Sequence, residues 1–291
     1  MIELITFFLI SIALIRHRVN SYDIVNFHVA YPNLTFWHWI KWLIKPKVII
    51  NEHWSAYHFN FGLKKPPPRI RRIFQNQIPV IAVSKALLSD IRRFSKANFN
   101  GFVVPNVVDT SIFKNDPSVK REHKRFFMVA QWKAPKKPLL VIQAFQLFLN
   151  SYNQANLIIG GYGPMLDKMK ELVNHLELGS NIHFVGALEP KEIAHEMNRA
   201  TSYIHCSDYE TFSVVCAEAL CCGCPVIASR VGGIPEFVNE HNGILVNKNS
   251  VMAFNDALHE SISKEFSVKS LQDFSTEGVG KKYYHILNEI H

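Results

Sequence analysis

The sequence of 291 residues has only five cysteines, and all of them lie between Cys206 and Cys224. An odd number confined to one short region does not make a disulfide framework, and such usage is typical of a reducing compartment such as the cytoplasm. The two separated Cys-x-x-Cys arms that a structural zinc site requires are also absent. We therefore interpret the cysteines as structural residues rather than as a metal cluster.

The sequence also lacks an apolar run long enough to cross a membrane. Residues 2–15 are apolar at most positions, but a spanning helix needs about 20 such residues. Positive charge follows this run, at Arg16 and Arg18, whereas a secretory signal carries its charge before the run. We interpret residues 2–15 as a helix that is either buried or lies at a membrane surface.

Acidic residues are scarce in the first part of the chain. Residues 1–118 hold 15 lysines and arginines against 6 acidic residues, a net charge of +9, whereas residues 119–291 have a net charge of −1. The densest basic segment is 64–72. This charge favours an anionic membrane surface or a phosphate-bearing acceptor as partner, and a solvated surface is the alternative. Because no nucleic-acid-binding motif accompanies the charge, we expect no nucleic-acid partner.

Composition and length indicate a globular α/β protein. Hydrophobic residues make up 48% of the chain and charged residues 19%, and the sequence has neither internal repeats nor low-complexity tracts. Short apolar runs alternate with helical stretches, which predicts parallel sheets covered on both faces. The polar residues 115–123 separate two such sets. We therefore predict a first domain at residues 1–118 and a second at residues 119–276.

Two glutamates eight residues apart, Glu210 and Glu218, carry most of the functional information. Residues 201–206 before them have the pattern of a buried strand, and the helix after them stops at Gly223 and Pro225. Glu210 is therefore expected in a loop and Glu218 in a helix. Both can face one cleft at the carboxyl edge of a parallel sheet, where open α/β folds bind ligands. By spacing alone, a solvated helix face is the alternative.

Several sequence blocks together resemble the donor-site signature of retaining glycosyltransferases of family 4. They follow the family's order and are Val104-Pro105-Asn106-Val107-Val108-Asp109, Lys136 ahead of Ala144-Phe145, Gly161-Tyr162-Gly163-Pro164, Phe184-Val185-Gly186, Glu210-Thr211-Phe212, Glu218-Ala219-Leu220, Cys222-Gly223-Cys224-Pro225-Val226-Ile227-Ala228 and Gly232-Gly233-Ile234-Pro235-Glu236. The resemblance covers the chain from about Tyr22 to its end. It implies the GT-B architecture, in which a nucleotide sugar binds between two Rossmann-like domains with parallel sheets. It also implies that residues 277–291 form a helix that crosses back to the first domain.

The same resemblance assigns roles to individual residues. Lys136, with Lys137 as an adjacent substitute, would stabilise the leaving diphosphate. The family often has an arginine about five residues earlier, where this chain has Gln131 and therefore lacks a fixed charge. Glu218 would accept hydrogen bonds from both ribose hydroxyls, and Glu210 would contact the transferred sugar.

Further residues would border the donor. Backbone amides at the start of the helix, near Ser213 and Val214, would offer a second anion site, and serine in place of the family's glycine is expected to cost little. His53 matches a histidine that faces the donor sugar from the first domain, and His28 is a weaker candidate. The remaining predicted donor-binding residues are Gly161, Gly163, Gly186 and Phe212, with a structural turn as the alternative for the glycines.

The resemblance has one gap. Family members usually begin with a strand, a Gly-rich loop, a helix and a second strand before the equivalent of Tyr22, so the first domain is expected to be truncated. Because the sequence has no Asp-x-Asp motif, we expect no metal and no cofactor. The implied function is that of a cytoplasmic, membrane-peripheral retaining glycosyltransferase that moves a sugar from a UDP- or GDP-linked donor to a polysaccharide or lipid-linked glycan. The alternatives are a noncatalytic remnant or partner subunit that binds nucleotide without turnover, and a GT-B-fold sugar epimerase.

Overall fold

The computed structural model describes residues 2–65, 67–268 and 272–290. The chain divides into two compact units, one formed by Met1–Pro105 with Lys281–His291 and the other by Asn106–Gly280. Each unit is built on a parallel sheet. The alternation of apolar runs with helical stretches therefore predicted the fold type of both units correctly.

The strands of the first unit are short and consist mainly of apolar residues. They are β1 Ile24–His28, β2 Lys47–Glu52, β3 Val80–Ala82 and β4 Gly101–Val103, and neighbours pair in parallel in the order β1-β2-β3-β4. The helices of this unit are α1 Ile2–Arg16, α2 Trp37–Ile40, α3 Pro68–Phe74 and α4 Lys85–Ser95. Ser84 caps α4, because its hydroxyl accepts a hydrogen bond from the Leu87 amide, and this confirms the predicted helix start.

Helix α1 is apolar on all sides but largely uncovered. Leu14 is buried, whereas the side chains of Leu9, Ile12 and Ile15 are 62%, 60% and 70% exposed. Burial, one of the two interpretations of this segment, is therefore wrong for most of the helix. At 15 residues α1 is too short to cross a bilayer, and no other helix in the described part of the chain meets the length and hydrophobicity that crossing requires.

The second unit has the larger sheet. Its strands are β5 Arg125–Gln131, β6 Asn156–Tyr162, β7 Ile182–Gly186, β8 Ser202–His205, β9 Val226–Ser229 and β10 Gly243–Val246, with parallel neighbours in the order β10-β9-β8-β5-β6-β7. Its helices are α5 Pro138–Leu149, α6 Leu166–His175, α7 Pro190–Arg199, α8 Val214–Cys221 and α9 Val251–Ser263. Phe126, Phe145 and Phe148 are fully buried and pack edge-to-face or stacked between β5 and α5. The order reverses between β8 and β5, so the carboxyl ends of these two strands flank the crevice where such sheets bind ligands.

Helix α7 is an element that the sequence pattern did not reveal. Its buried side chains are few, and the segment reads as polar. A capping box starts it: the Glu192 side chain accepts a hydrogen bond from the Glu189 amide at 2.8 Å, and the Glu189 side chain is bonded in return by the Glu192 backbone. The capping box and the helical spacing of Ile193, Ala194 and Met197 were the available signals.

The division between the units lies closer to the N-terminus than the predicted linker. Residues 106–118, assigned from sequence to the first domain, belong to the second unit. Asn198 holds them there, because its side chain accepts a hydrogen bond from the Asp116 amide and donates one to the Lys114 carbonyl. The C-terminal helix α10 Thr276–Ile290 begins in the second unit and continues in the first from Lys281. Of the predicted segments, residues 269–271, Pro66 and both chain ends lie outside the described residues.

Candidate active site

A cavity of about 380 Å³ opens at the carboxyl edge of the second unit's sheet. The ends of β5, β6 and β8 contribute Gln131, Tyr162 and His205 to its wall, and the start of α8 contributes Val214. The full lining is Val129, Ala130, Gln131, Lys136, Gly161, Tyr162, Ala187, Leu188, Ile193, His205, Glu210, Ser213, Val214 and Val215. The loops at this edge thus bring the predicted residues Lys136, Glu210, Ser213 and Val214 to one site.

Two loops at this edge are fastened to each other by their backbones. Lys136, in the loop after β5, forms an isolated antiparallel bridge with Ser207, in the loop after β8. The Lys137 amide donates to the Cys206 carbonyl at 3.0 Å, and the Asp208 amide donates to the Pro135 carbonyl at 3.1 Å. These bonds fix the separation of Lys136 from the Glu210 segment independently of any side-chain contact.

Lys136 and His205 both bind the Glu210 carboxylate. Lys136 Nζ forms an ion pair with Glu210 Oε1, and His205 Nε2 lies 2.9 Å from the same oxygen. All three side chains are largely buried, with 19%, 3% and 16% exposure respectively. Burial alone would raise the pKa of Glu210, but the hydrogen bond with His205 and the charge of Lys136 outweigh it and hold this pKa at about 2. Glu210 is therefore a carboxylate throughout the physiological pH range.

His205 was missed by the sequence analysis because it lies within an apolar strand. Burial, together with the Lys136 charge, lowers the pKa of His205, and the hydrogen bond to Glu210 opposes this shift. The imidazole is consequently neutral near pH 7. The signal in the sequence was a polar residue at the end of a strand, five residues before Glu210, which is the position of a ligand-facing side chain at a sheet edge.

Glu218 lies on α8, one turn after Val214, in a different environment. Among the residues that the structure describes, no hydrogen-bond or ion-pair partner contacts its carboxylate. Burial raises its pKa from 4.5 to about 7. A half-buried carboxylate without a partner is costly, and it is suited to accept hydrogen bonds from a ligand. Glu218 does not line the cavity itself, although it lies on the same face of α8 as Val214.

The start of α8 differs from the expectation for Ser213. Its φ of 75° and ψ of 80° place it in the left-handed region, where glycine is favoured and a serine is strained. Its hydroxyl does not cap the helix and instead lies 3.2 Å from Cys216 Sγ. The expectation that serine serves as an ordinary helix start is therefore wrong: the family's glycine suits this backbone, and serine retains the conformation at a cost. Ser213 and Val214 do lie at the cavity, as predicted.

Glycines allow the strand ends to approach each other closely. A Cβ atom on Gly161 would lie 2.0 Å from the Ala130 carbonyl oxygen, and one on Gly163 would lie 2.6 Å from the Trp132 carbonyl oxygen. Both residues also have positive φ. The structural alternative therefore accounts for Gly163 fully, whereas Gly161 both satisfies the backbone and lines the cavity. Gly186, at the end of β7, has a positive φ and open space around it.

Gly232 packs its backbone closely against the backbone of Glu210. A Cβ atom there would lie 1.5 Å from the Glu210 carbonyl oxygen, and the Gly233 amide donates to that same oxygen at 3.2 Å. Glycine is thus required for the backbone of residue 210 to occupy its place. This backbone contact within the chain accounts for glycine at position 232.

The other predicted donor-binding residues occupy separate positions. Gln131 is exposed at the cavity wall. Lys137 pairs with Asp208 at 2.8 Å, and this hydrogen bond and charge raise the pKa of Lys137. Phe212 does not reach the cavity, because it is buried in an aromatic cluster with Phe237 and Phe274 at ring distances of 5.0 and 5.3 Å. Phe212 therefore anchors the Glu210 loop in the core.

His53 belongs to the first unit and is exposed directly after β2. Its ring stacks on that of His28, with centroids 6.1 Å apart and planes 4° apart. The preceding residue, Glu52, is fully buried, and its carboxylate accepts hydrogen bonds from the Tyr57 hydroxyl at 2.5 Å and the Ala30 amide at 2.6 Å. These contacts fix the end of β2 from which His53 projects. Its role toward a donor sugar stays a prediction.

The described residues contain no group of three or more histidine, cysteine and acidic side chains arranged to hold a metal ion. The cysteines at positions 206, 216, 221, 222 and 224 are free thiols, all buried. Their role as packing residues around α8 agrees with this burial. The expectation of a reaction without metal or cofactor remains a prediction.

Comparison with known proteins decides the family. Residues 109–279, more than half of the chain, match the family described as glycosyl transferases group 1. The chain belongs to this family. The matched segment contains the cavity, the Lys136–His205–Glu210 cluster and Glu218, so the sequence-based recognition is confirmed.

Curated relatives of this group 1 chain are longer proteins. It is 30% identical over 168 residues to one subunit of human phosphatidylinositol N-acetylglucosaminyltransferase, and this match covers 58% of this chain and 34% of that protein. It is 24% identical over 240 residues to the N-acetyl-alpha-D-glucosaminyl L-malate synthase of Bacillus anthracis, and this match covers 78% of this chain and 61% of that protein. The chain thus spans between about a third and three fifths of the length of these relatives.

Solved structures of other proteins superpose on nearly the whole of this group 1 chain. Anabaena HepE in complex with UDP and glucose matches with a TM-score of 0.76 at 18% identity, over 95% of this chain and 80% of that one. A glycosyltransferase from Rickettsia africae matches with a TM-score of 0.77 at 18% identity, over 99% of this chain and 81% of that one. At this identity the likeness concerns the fold, and it confirms the predicted GT-B class.

Proposed function

We propose that this group 1 chain is a retaining glycosyltransferase that moves a sugar from a UDP- or GDP-linked donor onto a polysaccharide or lipid-linked glycan. The observation that carries the proposal is the arrangement at the carboxyl edge of the parallel sheet: a buried Lys136–Glu210 ion pair, followed on α8 by Glu218, whose carboxylate has no partner among the described residues. The family membership and the cavity volume, which suits a small ligand, support it.

Each residue has a role that its surroundings make possible. The Lys136 ammonium, about one-fifth exposed, would stabilise charge on the departing diphosphate. The backbone amides at the start of α8 would add a second site for the same phosphates. Glu218 would accept hydrogen bonds from the two ribose hydroxyls, and Glu210 would bind hydroxyls of the transferred sugar. His53 would face that sugar from the first unit.

The relatives suggest which donor to test first. The names of the human and Bacillus proteins both refer to the N-acetylglucosaminyl group, and the HepE structure contains UDP. We therefore place UDP-N-acetylglucosamine first among candidate donors. Neutral Gln131 at the cavity wall means that Lys136, Lys137 and backbone amides must supply the positive charge that the family's arginine would add.

The first unit favours a membrane-bound acceptor. The exposed apolar face of α1 continues in Trp39 and Trp42, which are 55% and 81% exposed, and Phe7 of α1 packs edge-to-face on Trp39 at 5.6 Å. Lys41, whose Nζ lies 4.8 Å from the centre of the Trp42 ring, and Arg16, in the last turn of α1, are both exposed. Exposed apolar and tryptophan side chains bordered by basic ones are typical of surfaces that bind anionic bilayers from one side. We propose a peripheral location at the inner face of the membrane, with a lipid-linked acceptor.

A vesicle assay tests this part of the proposal. Vesicles with about 30% anionic lipid should sediment the chain, and neutral vesicles should do so less, because each basic residue near the surface contributes about 1 kcal/mol. The double variant Ile12→Ser, Trp42→Ser should lose binding, whereas Val107→Ser, at an exposed apolar residue of the second unit, should keep it. Equal sedimentation of both variants would remove the membrane surface from the proposal.

Turnover is tested with radiolabelled UDP-N-acetylglucosamine, UDP-glucose and GDP-mannose, offered with soluble oligosaccharides or with lipid-linked glycans in vesicles. The expected result is label transfer from one donor, with the anomeric configuration of the donor kept in the product as seen by NMR. Binding of a nucleotide without transfer to any acceptor would favour the noncatalytic partner subunit. Neutral Gln131 at the cavity wall also favours that alternative.

A further inference from the structure

His205 is the buried polar residue of the donor cavity to which nothing above assigns a role. Its Nε2 atom lies 2.9 Å from Glu210 Oε1 and 3.3 Å from Lys136 Nζ. Its ring stacks on Tyr203 at 6.2 Å, and the Tyr203 hydroxyl donates to the Val129 carbonyl at 3.0 Å. With 3% exposure and this stacking, the imidazole has little freedom to turn.

The two contacts of Nε2 make opposite demands. An ammonium only donates hydrogen bonds and a carboxylate only accepts them, so Nε2 can satisfy Lys136 without its proton or Glu210 with it. The shorter contact is the one to Glu210, and a bare nitrogen there would face the carboxylate with its own lone pair. The geometry therefore favours a proton on Nε2, donated to Glu210 Oε1, while Lys136 is held by the same carboxylate oxygen.

The arrival of a donor changes this arrangement. A diphosphate competes with Glu210 for the Lys136 ammonium, since both are anions and both need the same cation. If Lys136 were the whole support of Glu210, its carboxylate would be left unpaired, buried and close to a second anion, which is an unfavourable state. A second, uncharged donor on Glu210 removes this difficulty without adding charge to the cavity.

We propose that His205 is a positioning residue: its Nε2 hydrogen holds the Glu210 carboxylate toward the sugar while Lys136 turns to the diphosphate. This rests on the proposed function. In the empty site Glu210 keeps Lys136 in place, and in the occupied site His205 keeps Glu210 in place. The histidine thus allows one cation to serve the leaving group while the sugar-binding carboxylate remains oriented.

The test uses His205→Phe, which fills the space without a donor, and His205→Gln, whose side-chain amide can donate near the position of Nε2. His183→Phe, at an exposed histidine on β7, is the matched control. UDP and UDP-N-acetylglucosamine are titrated into the full chain, or GDP and GDP-mannose if GDP binds instead, and kcat and KM are measured for the same donor. Thermal unfolding of each variant accompanies the titrations.

In His205→Phe, we expect UDP affinity within about twofold of wild type, because the diphosphate contacts remain. The extra affinity that the sugar confers should be lost, and kcat should fall about 10- to 100-fold through misplacement of Glu210. His205→Gln should recover most of both, and the control should equal wild type. In a ¹⁵N-histidine NMR spectrum, Nε2 of His205 should carry the proton before and after UDP is added, and its signal should shift in Glu210→Gln.

Several results would overturn the inference. Wild-type sugar affinity and kcat in His205→Phe would do so, as would failure of Gln to restore what Phe loses, or equal loss of UDP and UDP-sugar binding with a lowered melting temperature. A proton on Nδ1 in the UDP complex would also contradict it. If wild type binds no nucleotide at all, the proposed function fails and this inference with it; if wild type binds and transfers but His205 variants behave as wild type, the inference alone fails.

Discussion

The two glutamates that flank the start of α8 are eight residues apart in sequence and opposite in state. Glu210, in the loop, is bound by Lys136 and His205, and its pKa is about 2. Glu218, inside the helix, has no partner among the described residues, and burial raises its pKa to about 7. Glu210 therefore has its hydrogen-bond and ion-pair partners before any ligand binds, whereas Glu218 has none among the described residues.

The difference shows what a ligand must do at each position. At Glu210 the proposed donor must compete with an existing contact, because the lysine proposed to bind its diphosphate is already paired with this carboxylate. At Glu218 it supplies the first hydrogen bonds, so binding there gains the free energy of satisfying a buried carboxylate. The proposed sugar end of the site, at Glu210, is therefore organised in advance, whereas the proposed ribose end, at Glu218 outside the cavity lining, is completed by the ligand.

Lys136→Ala should have the largest effect, since it removes the cation from the organised end. We expect kcat to fall about 100- to 1,000-fold through lost stabilisation of the leaving group. The pKa of Glu210 should rise as well, because its main cationic partner is gone. Lys133→Ala, at an exposed lysine of the same loop, should change kcat by less than about twofold. Similar rates for the two variants in a steady-state assay would mean that Lys136 does not meet the diphosphate.

Gly232→Ala should disturb the organised end by displacing the backbone of the Glu210 loop. The added Cβ would lie 1.5 Å from the Glu210 carbonyl oxygen, so the loop must move, and the positive φ adds strain. We expect a loss of about 2–4 kcal/mol in the free energy of unfolding, measured in urea. Gly179→Ala, where the Cβ meets nothing within 4 Å, should stay within about 1 kcal/mol of wild type. A Gly232→Ala chain as stable as the control would show that the Glu210 loop is not fixed by this contact.

Glu218→Gln should weaken nucleotide binding at the proposed ribose end and change how that binding depends on pH. If nucleotide binds the charged form of Glu218, wild-type affinity should fall about tenfold from pH 8 to pH 6, across its pKa of about 7. The Gln variant should bind more weakly at pH 8 and with a flatter profile. In the empty protein, the raised pKa means that the contribution of Glu218 to stability decreases as pH rises from 4.5 to about 7 and is constant above that. Parallel pH profiles of binding for the two proteins would exclude Glu218 from the nucleotide site.

Ser213→Gly should have the smallest effect and sharpen the comparison between the two ends. Glycine removes the strain of a serine at φ 75°, which is worth about 1 kcal/mol. The melting temperature should therefore rise by a few degrees, and the contacts of the Glu210 and Glu218 carboxylates should stay the same. Ser213→Ala keeps the strained backbone and should not show the gain. A lower melting temperature for Ser213→Gly would mean that the Ser213–Cys216 contact outweighs the backbone strain.

Most of this site was predictable because the order of strand, loop and helix along the chain determines where its residues lie. A buried strand, a polar loop and a helix place Glu210 and Glu218 at the carboxyl edge of a sheet, and family resemblance adds Lys136 from a neighbouring loop. The sequence indicated neither the backbone conformation of Ser213 nor the role of His205. The contacts of His205 depend on how two loops meet in space, because the bridge between Lys136 and Ser207 brings Lys136 to Glu210.

The surface of the first unit was predictable only in part. The apolar pattern of residues 2–15 correctly indicated a helix, but hydrophobicity all round a helix normally accompanies burial. Ile12 and Ile15 are instead mostly exposed. Sequence pattern gives the faces of a helix, whereas the extent to which neighbours cover them is a tertiary property. Likewise, Phe212 was expected at the ligand and lies in the aromatic cluster with Phe237, because adjacency to Glu210 in sequence does not fix side-chain direction.

The central claim is that a nucleotide binds between the organised and the incomplete carboxylate at the start of α8. Calorimetric titration of the wild-type chain with UDP, GDP and ADP, beside Lys136→Ala and Glu218→Ala, tests it most directly. The account predicts selective binding of one nucleotide, weakened by both substitutions and unaffected by Lys133→Ala. No binding of any nucleotide, or binding that neither substitution weakens, would contradict it.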